Sequence, residues 1–308
     1  MKISVVVPIM NEEGNLILLS QNIIEVLNHY IDYEIIFIDD GSTDNSLSIL
    51  SELNIKNNKI KYISFSRNFG HQNALKAGLD HAHGDCVISM DGDMQHPPEL
   101  IRRMIEIWQQ EKADIVFTIR NDKHEKISLF KKFSSRFFYK IMNFLSDVKI
   151  EPGSTDFRLL DKSVVDYIKC LPENPIFFRG LIPWIGYKQI ALEYEPHERF
   201  WGKTKYTFKK MFNFAINGIL SFSIKPLTIS IYIGIILAFL SLCYGIYSII
   251  IKLFTNYSIS GWSSVISVIT FIGGIQLIIL GIIGTYLGKL FISSRGRPMY
   301  IIKQKCID

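Results

Sequence analysis

Two carboxylates separated by one glycine, Asp91-Gly92-Asp93, are followed two places on by the amide of Gln95, directly after the apolar run Cys86–Met90. Side chains two apart on an extended backbone point the same way. Both acids can therefore face one cation, and Gly92 leaves room for a phosphate or sugar to approach. Hard oxygen ligands favour Mg²⁺ or Mn²⁺, and Mg²⁺ is commonly held by one or two carboxylates together with substrate phosphates. A lone Asp-x-Asp arises by chance in many acidic loops; its place at a strand end, continued by His96-Pro97-Pro98, gives this one weight. A second acidic group, Asp39-Asp40-Gly41-Ser42-Thr43-Asp44, also follows an apolar run. Gly41 permits a tight turn, and Ser42 or Asp44 can cap the next helix. Neither role needs two carboxylates ahead of the glycine, and a carboxylate there suits hydrogen bonding to ribose hydroxyls or a base.

The elements that would hold these groups alternate. Lys2–Val7, Glu34–Ile38, Lys61–Phe65, Cys86–Met90 and Asp114–Thr118 are short, often β-branched runs. Segments of helical length separate them, at about Asn15–Tyr30, Asp44–Leu53, Gln72–His83 and Pro98–Gln110. Such alternation predicts a mostly parallel sheet covered by helices, with ligands beyond the carboxyl ends of the strands. Asn11 and Glu12, Asp39 and Asp40, and Asp91 and Asp93 stand at three of those ends, so one rim gathers the carboxylates.

From Pro226 the composition changes. Pro226 to Ile251 and Leu253 to Gly288 contain no charged residue. A bilayer core needs roughly 20 apolar residues per spanning helix, so the spacing predicts spans near Leu227–Ile251 and Val265–Leu287. Lys203, Lys205, Lys209, Lys210 and Lys225 precede the first; Lys289, Arg295, Arg297, Lys303 and Lys305 follow the second; only Lys252 lies between. The bias predicts both ends on the cytoplasmic side. The opening MKISVVVPIMNEE has too short an apolar run for a signal peptide, so a cytosolic catalytic domain is expected. Two further segments, Ile127–Leu145 and Tyr206–Phe222, place aromatic and aliphatic residues at helical spacing among basic ones. Helices of this pattern lie in a membrane interface or pack onto the sheet; the interface is the expectation for the second, and both stay open for the first. The net charge of +5 suits an anionic membrane surface. Four separated cysteines with no Cys-x-x-Cys pair read as free thiols.

Seven ordered motifs carry a family resemblance over nearly the whole chain. They are Val7-Pro8-Ile9-Met10-Asn11-Glu12, Asp39–Asp44, Arg67-Asn68-Phe69-Gly70-His71-Gln72, Asp91–Pro98, Thr155-Asp156-Phe157-Arg158-Leu159, Arg179-Gly180-Leu181 and Glu198-Arg199-Phe200-Trp201-Gly202-Lys203-Thr204-Lys205-Tyr206. In order and spacing they resemble glycosyltransferase family 2. With two spans and the tail Gly296-Arg297-Pro298-Met299-Tyr300, the chain is similar to its polyisoprenyl-phosphate branch, that of bactoprenol glucosyltransferases and dolichol-phosphate mannose synthases.

The resemblance implies a GT-A type, Rossmann-like nucleotide-sugar-binding α/β domain at 1–205. An amphipathic juxtamembrane helix at 206–225, a two-helix transmembrane hairpin at 226–288 and a basic cytosolic tail at 289–308 would follow. It further implies that Pro8, Asn11, Glu12, Asp40, Gln72 and Gly92 lie by the nucleotide sugar and that Asp39 meets base or ribose. Asp91 would hold donor ribose or sugar beside the metal, and Asp93 and Gln95 would ligate Mg²⁺ or Mn²⁺. Asp156 takes the place of the catalytic acidic residue, while Arg199, Lys203 and Lys205 would close over the phosphates. Thr155 departs from the pattern, since relatives often carry Gly or Ser there. Arg136, Lys140 and Arg158 are candidates for the acceptor phosphate.

The reaction so implied is inverting transfer of a hexose, glucose from UDP-glucose, to undecaprenyl or another polyprenyl phosphate at the inner (plasma) membrane. Mannose, galactose or an N-acetylhexosamine remain alternative donors, and a homo-oligomer fits the family. No nucleic-acid partner is expected. A processive polysaccharide synthase would bring more spans and a Gln-x-x-Arg-Trp motif, which Glu198-Arg199-Phe200-Trp201 is not. A dinucleotide oxidoreductase would show G-x-G-x-x-G after the first strand. A non-catalytic scaffold would have eroded Asp91, Asp93, Gln95 or Asp156, and all four are present.

Overall fold

The computed structural model describes residues 1–121, 144, 148, 151–171, 176–196, 223–254 and 261–307. Arg136, Lys140, Arg199, Lys203 and Lys205 lie outside the described residues, as do the two amphipathic segments apart from Phe144. The chain divides into two units, one of 1–143, 148–212 and 297–308, the other of 144–147 and 213–296.

In the first unit the expected alternation is realised as β1 (Lys2–Ile9), α1 (Leu16–Leu27), β2 (Asp32–Asp39), α2 (Ser46–Lys56), β3 (Ile60–Phe65), α3 (His71–His81), β4 (Cys86–Ser89), α4 (Leu100–Gln110) and β5 (Ile115–Arg120). There follow β6 (Ser154–Asp161), α5 (Lys162–Cys170), α6 (Phe178–Ile185) and β7 (Gln189–Tyr194). The last strand, β8 (Ile302–Cys306), comes from the tail. The eight strands lie in the order β7-β5-β6-β4-β1-β2-β3-β8. Four of the seven pairings are parallel; β6 runs against both neighbours and β8 against β3.

Both central strands are buried on both faces, which is why Val-Val-Val in β1 and Ile-Ile-Phe-Ile in β2 show no polar alternation. One face packs Ile3, Val5 and Val7 beneath Leu16, Leu19 and Ile23 of α1 and Ile101 and Met104 of α4. On the other lies α3, set so close that a Cβ at Gly78 would come within 2.0 Å of Val6 Cγ1.

The tail is not a free basic extension. Ile302–Cys306 pairs with β3, and the Ser66 amide donates to the Ile301 carbonyl at 3.0 Å. Just ahead of that strand, the Tyr300 ring stacks on Phe65 at 5.1 Å and 14°, and its hydroxyl donates to Asp80 at 2.9 Å. In the second unit, α7 (Lys225–Phe254) and α8 (Trp262–Ser294) contain two stretches, Lys225–Tyr247 and Ser267–Ser294, long and apolar enough to cross a membrane. Their side chains are almost all exposed, unlike those of a soluble core helix.

At the end of the sheet away from the rim, Glu34 is buried among Ser4, His83, Lys2 and Lys61. Its Oε1 accepts from the Ser4 hydroxyl at 2.6 Å and the His83 amide at 2.9 Å, and its Oε2 faces Lys2 Nζ at 3.0 Å and Lys61 Nζ at 3.2 Å. Burial alone would raise its pKa, but the Ser4, His83 and Lys2 contacts outweigh it and hold the carboxyl down at about 2. The folded value lies below the unfolded one. The stabilisation, on the order of 3 kcal/mol, is therefore complete above about pH 4.5 and lost as pH falls toward 2. Glu34→Gln should lower the melting temperature at pH 7 by roughly 5–10 °C, with the gap to wild type closing below pH 4. A gap that stayed constant from pH 7 to pH 3 would rule out this ionisation as its source.

Candidate active site

Strands β1, β2 and β4 are mutually parallel and end on one rim, and the antiparallel β6 begins there. Because β1 lies between β2 and β4, the connections from it diverge, and a crevice opens at its end as in other open α/β sheets. The crevice has three walls.

The first is built by the loops after β1 and β2. Asn11, at φ 55°, accepts the Thr43 amide on Oδ1 at 2.8 Å, and its own amide donates to Ser42 Oγ at 2.9 Å. The Glu12 amide donates to Ser46 Oγ at 3.1 Å. Pro8 is buried within β1, beside Ile38 in register. Asp39 is also buried, with Oδ1 accepting the Ser42 amide at 2.9 Å and Oδ2 the Ser64 hydroxyl at 2.7 Å. Asp40 holds a loop in place, since its carboxylate accepts the Phe69 amide at 2.6 Å and the Gly70 amide at 2.9 Å. Burial pushes its pKa up against the pull of those amides. Gly41, at φ 71°, is required here, since a Cβ would lie 2.5 Å from the Arg67 carbonyl carbon.

The second wall carries Asp91 and Asp93. Strand β4 stops at Ser89, so the two acids sit in a turn and not on extended backbone. Met94 takes φ 65°, and Asp93 Oδ1 accepts the Gln95 amide at 3.2 Å. Gly92 also differs from expectation. A Cβ there would meet Ile9 Cγ2 at 2.7 Å and the Pro8 carbonyl at 3.3 Å, so the glycine serves close packing of the turn on β1. His96, buried and stacked on Phe157 at 5.0 Å, accepts the Asp91 amide on Nδ1 at 3.0 Å. The neutral ring therefore carries its proton on Nε2, which lies 3.8 Å from Asp91 Oδ2.

The third wall is Asp156, only 5 % exposed at the start of β6. Ser89 Oγ donates to its carbonyl at 2.6 Å, tying β6 to the end of β4. Arg179 from α6 grips its carboxylate with Nη2 at 3.3 Å and Nε at 3.4 Å. Gln72 Nε2 donates to it at 3.4 Å while its Oε1 accepts the Phe178 amide at 2.9 Å. His71 bridges two walls: Nε2 lies 3.4 Å from Asp91 and 3.6 Å from Asp156. Burial opposes the charged forms of both His71 and Asp156. Against it, Asp156 and Asp91 push the imidazole up to about 9, and Arg179, His71 and Arg158 hold the Asp156 carboxyl well below the usual carboxylate range. A carboxylate so held is a poor proton acceptor.

His71, Arg179 and His96 are thus site residues that reading by residue type passed over. Each stands inside a motif already singled out, so the signal was adjacency. For a divalent cation the fit is partial but coherent. Among the described residues there is no cluster of three or more His, Cys, Asp or Glu able to hold a metal ion. Asp91, Asp93 and the Gln95 amide offer the oxygen donors of a Mg²⁺ or Mn²⁺ site completed by substrate phosphates.

The family model described as "Glycosyl transferase family 2" matches residues 4–168. The chain belongs to glycosyltransferase family 2. It is 41 % identical over 306 residues, 99 % of each chain, to the "Prophage bactoprenol glucosyl transferase homolog" of Escherichia coli K12. It is 42 % identical over 307 residues, again 99 % of each, to the "Bactoprenol glucosyl transferase" of Shigella phage SfV. Among solved structures, a mannosyltransferase from Pyrobaculum calidifontis in complex with GDP-Man and Mn²⁺ shares the fold. Its TM-score is 0.50 at 16 % identity, covering 71 % of this chain and 61 % of that one. The protein is a GT-A glycosyltransferase with two apolar carboxyl-terminal helices.

In this family 2 enzyme, Gly92→Ala should shift the Asp91–Asp93 turn by several tenths of an ångström and lower the transfer rate at least tenfold, since small misplacements at reacting centres are costly. The melting temperature should change by less than a few degrees. An unchanged rate would mean that Ile9 yields and the turn does not.

Proposed function

We propose that this glycosyltransferase moves a hexose, glucose from UDP-glucose, onto undecaprenyl or another polyprenyl phosphate, with inversion at the anomeric carbon. The observation that carries the reading is the state of Asp156. A sugar hydroxyl acceptor needs a base to remove its proton, and the buried carboxylate at the start of β6 is saturated by Arg179, His71 and Gln72. A phosphate monoester ionises near pH 6 and needs no such help. The names of relatives alike over 99 % of their length support the same acceptor and sugar.

Asp156 then orients the cations around it. Pro8, Asn11, Glu12 and Asp39 border the nucleotide, and Arg199, Lys203 and Lys205 close over the diphosphate. Asp93 and Gln95, with Asp91, would hold Mg²⁺ or Mn²⁺, which supplies charge stabilisation for the departing diphosphate.

The acceptor's tail resides in the bilayer, and the two apolar helices suit a membrane anchor. The chain leaves the first unit before Ser223 and rejoins it by β8, which supports an even number of crossings. With the lysine and arginine flanks, that favours a two-helix hairpin with the catalytic domain and both ends at the cytoplasmic face. The product is a lipid-linked hexose available for glycan or O-antigen modification.

Purified protein in detergent, given Mg²⁺, undecaprenyl phosphate and a panel of radiolabelled nucleotide sugars, should carry label into the organic phase from UDP-glucose. Asp93→Ala should reduce this at least a hundredfold. Label from a different donor would reassign the sugar, and none from any donor would end the lipid-phosphate reading.

A further inference from the structure

Beside Asp156 stands a second guanidinium, that of the buried Arg158. Arg158 follows Asp156 by two places on β6, so the two side chains project from the same face of the sheet. Arg158 is 4 % exposed, donates from Nε to the Thr155 carbonyl at 2.8 Å, and from Nη1 to the Phe178 carbonyl at 3.4 Å. A guanidinium has five N–H donors, so three remain. Burial draws its pKa down to about 10, partly offset by Asp156, which leaves it charged at neutral pH. Asp156 thus faces Arg158 and Arg179 as well as His71, which also lies 3.4 Å from Asp91.

Beside this cluster, within the first unit, lies a cavity of about 270 Å³. Arg158 and Arg179 line it together with Ser154, while Phe117 and Pro183 supply apolar wall. Among the described residues that line it, the one carboxylate, Glu151, is exposed and hence screened by water, whereas Arg158 is not. A buried cation with spare donors is costly unless an anion meets it. The planar fork of a guanidinium matches phosphate oxygens.

We propose that this cavity receives the phosphate monoester of the acceptor, with Arg158 and Arg179 as ligands of its non-reacting oxygens. The inference rests on the transfer reading above and names the subsite that reading lacks. Its position suits an in-line displacement. Contacts run from Asp91 through His71 to Asp156 and then Arg179, so the cavity lies at the opposite end of the series from the Asp91–Asp93 turn. The attacking phosphate oxygen enters from the arginine end and bonds to the anomeric carbon. The bond from that carbon to the donor diphosphate breaks, and its electron pair leaves with the nucleoside diphosphate. No proton need move. The apolar wall of Phe117 and Pro183 accommodates the first carbons of the acceptor chain.

The test uses the full chain in detergent, with farnesyl phosphate as the varied acceptor at saturating UDP-glucose. Arg158→Gln removes a ligand; Ser154→Asp adds a negative charge to the cavity wall and leaves Arg158 in place, which covers the case that the first variant fails to fold. Each should raise the KM for farnesyl phosphate at least tenfold and leave the KM for UDP-glucose within twofold. Inorganic phosphate is the second arm. It should compete with farnesyl phosphate only weakly, at millimolar concentration, and less in either variant. Unchanged acceptor KM in folded variants would overturn the proposal, as would a donor KM that moved in step. Tight inhibition by inorganic phosphate, lost in the variants while the farnesyl phosphate KM held, would make this a free-phosphate site and equally overturn it. If wild type transfers to no lipid phosphate, calorimetric titration with farnesyl phosphate separates the two claims. Binding weakened by Arg158→Gln keeps the cavity and discards the reaction, and absence of binding discards both.

Discussion

A carboxylate with 5 % of its surface exposed stays ionised only if cations surround it, and Asp156 recruits them from three directions. Arg179 reaches it from α6, His71 from the start of α3, and Arg158 acts from two places along its own strand. Asp156 and Arg158 lie where they do because β6 runs against its neighbours. An antiparallel strand wedged between β4 and β5 starts at the rim where the parallel strands finish, and so delivers its first acidic residue to the crevice. The Ser89 hydroxyl, bonded to the Asp156 carbonyl, fastens that junction.

The remaining polar groups on the rim divide between holding the loops and facing the crevice. Asp40 is committed to the amides of Phe69 and Gly70, and Asp39 to Ser42 and Ser64. These bonds fix the 66–70 loop against the 39–44 loop, at the point where Gly41 lets the two backbones touch. The same loop is reached from the tail. Tyr300 stacks on Phe65, Phe65 meets Phe69 edge-on at 5.7 Å, and Arg67 lies 4.0 Å over the Phe69 ring. A segment more than 230 residues away in sequence from Phe65 therefore braces one wall of the crevice.

The five leading strands were legible because their apolar, β-branched runs are bounded by turn residues and, in β1 to β4, almost wholly buried. Later strands lack that signature. In β6, Asp156 and Arg158 interrupt the apolar pattern because one face of the strand is the site itself. In β8, Ile-Lys-Gln-Lys-Cys is an edge strand with exposed lysines, a composition that discourages further pairing and reads as a tail. Residue types at strand ends placed Asn11, Glu12, Asp39, Asp40, Asp91 and Asp93 on one rim, and the family resemblance added Asp156, but neither gave the partners that decide what each can do. Asp40 and Asp39 look alike in sequence; only the approach of the Phe69 and Gly70 amides separates them. Gly92 likewise suggests space for a ligand, while its neighbours Ile9 and Pro8 show that the space is filled by protein.

Tethering at both ends also bears on the chemistry. The chain leaves the first unit for one that carries two apolar helices and returns as β8 of the first unit's sheet. Under the proposed reaction, an acceptor confined to a bilayer that holds those helices would be met at an effective concentration set by the tether and not by bulk solution. High local concentration relaxes the demand for tight binding of the lipid chain. What the proposed site would then supply is recognition of the head group, through the guanidiniums of Arg158 and Arg179 that line one cavity. Selectivity for a phosphate over a neutral hydroxyl would follow from those two cations, without any residue devoted to proton removal.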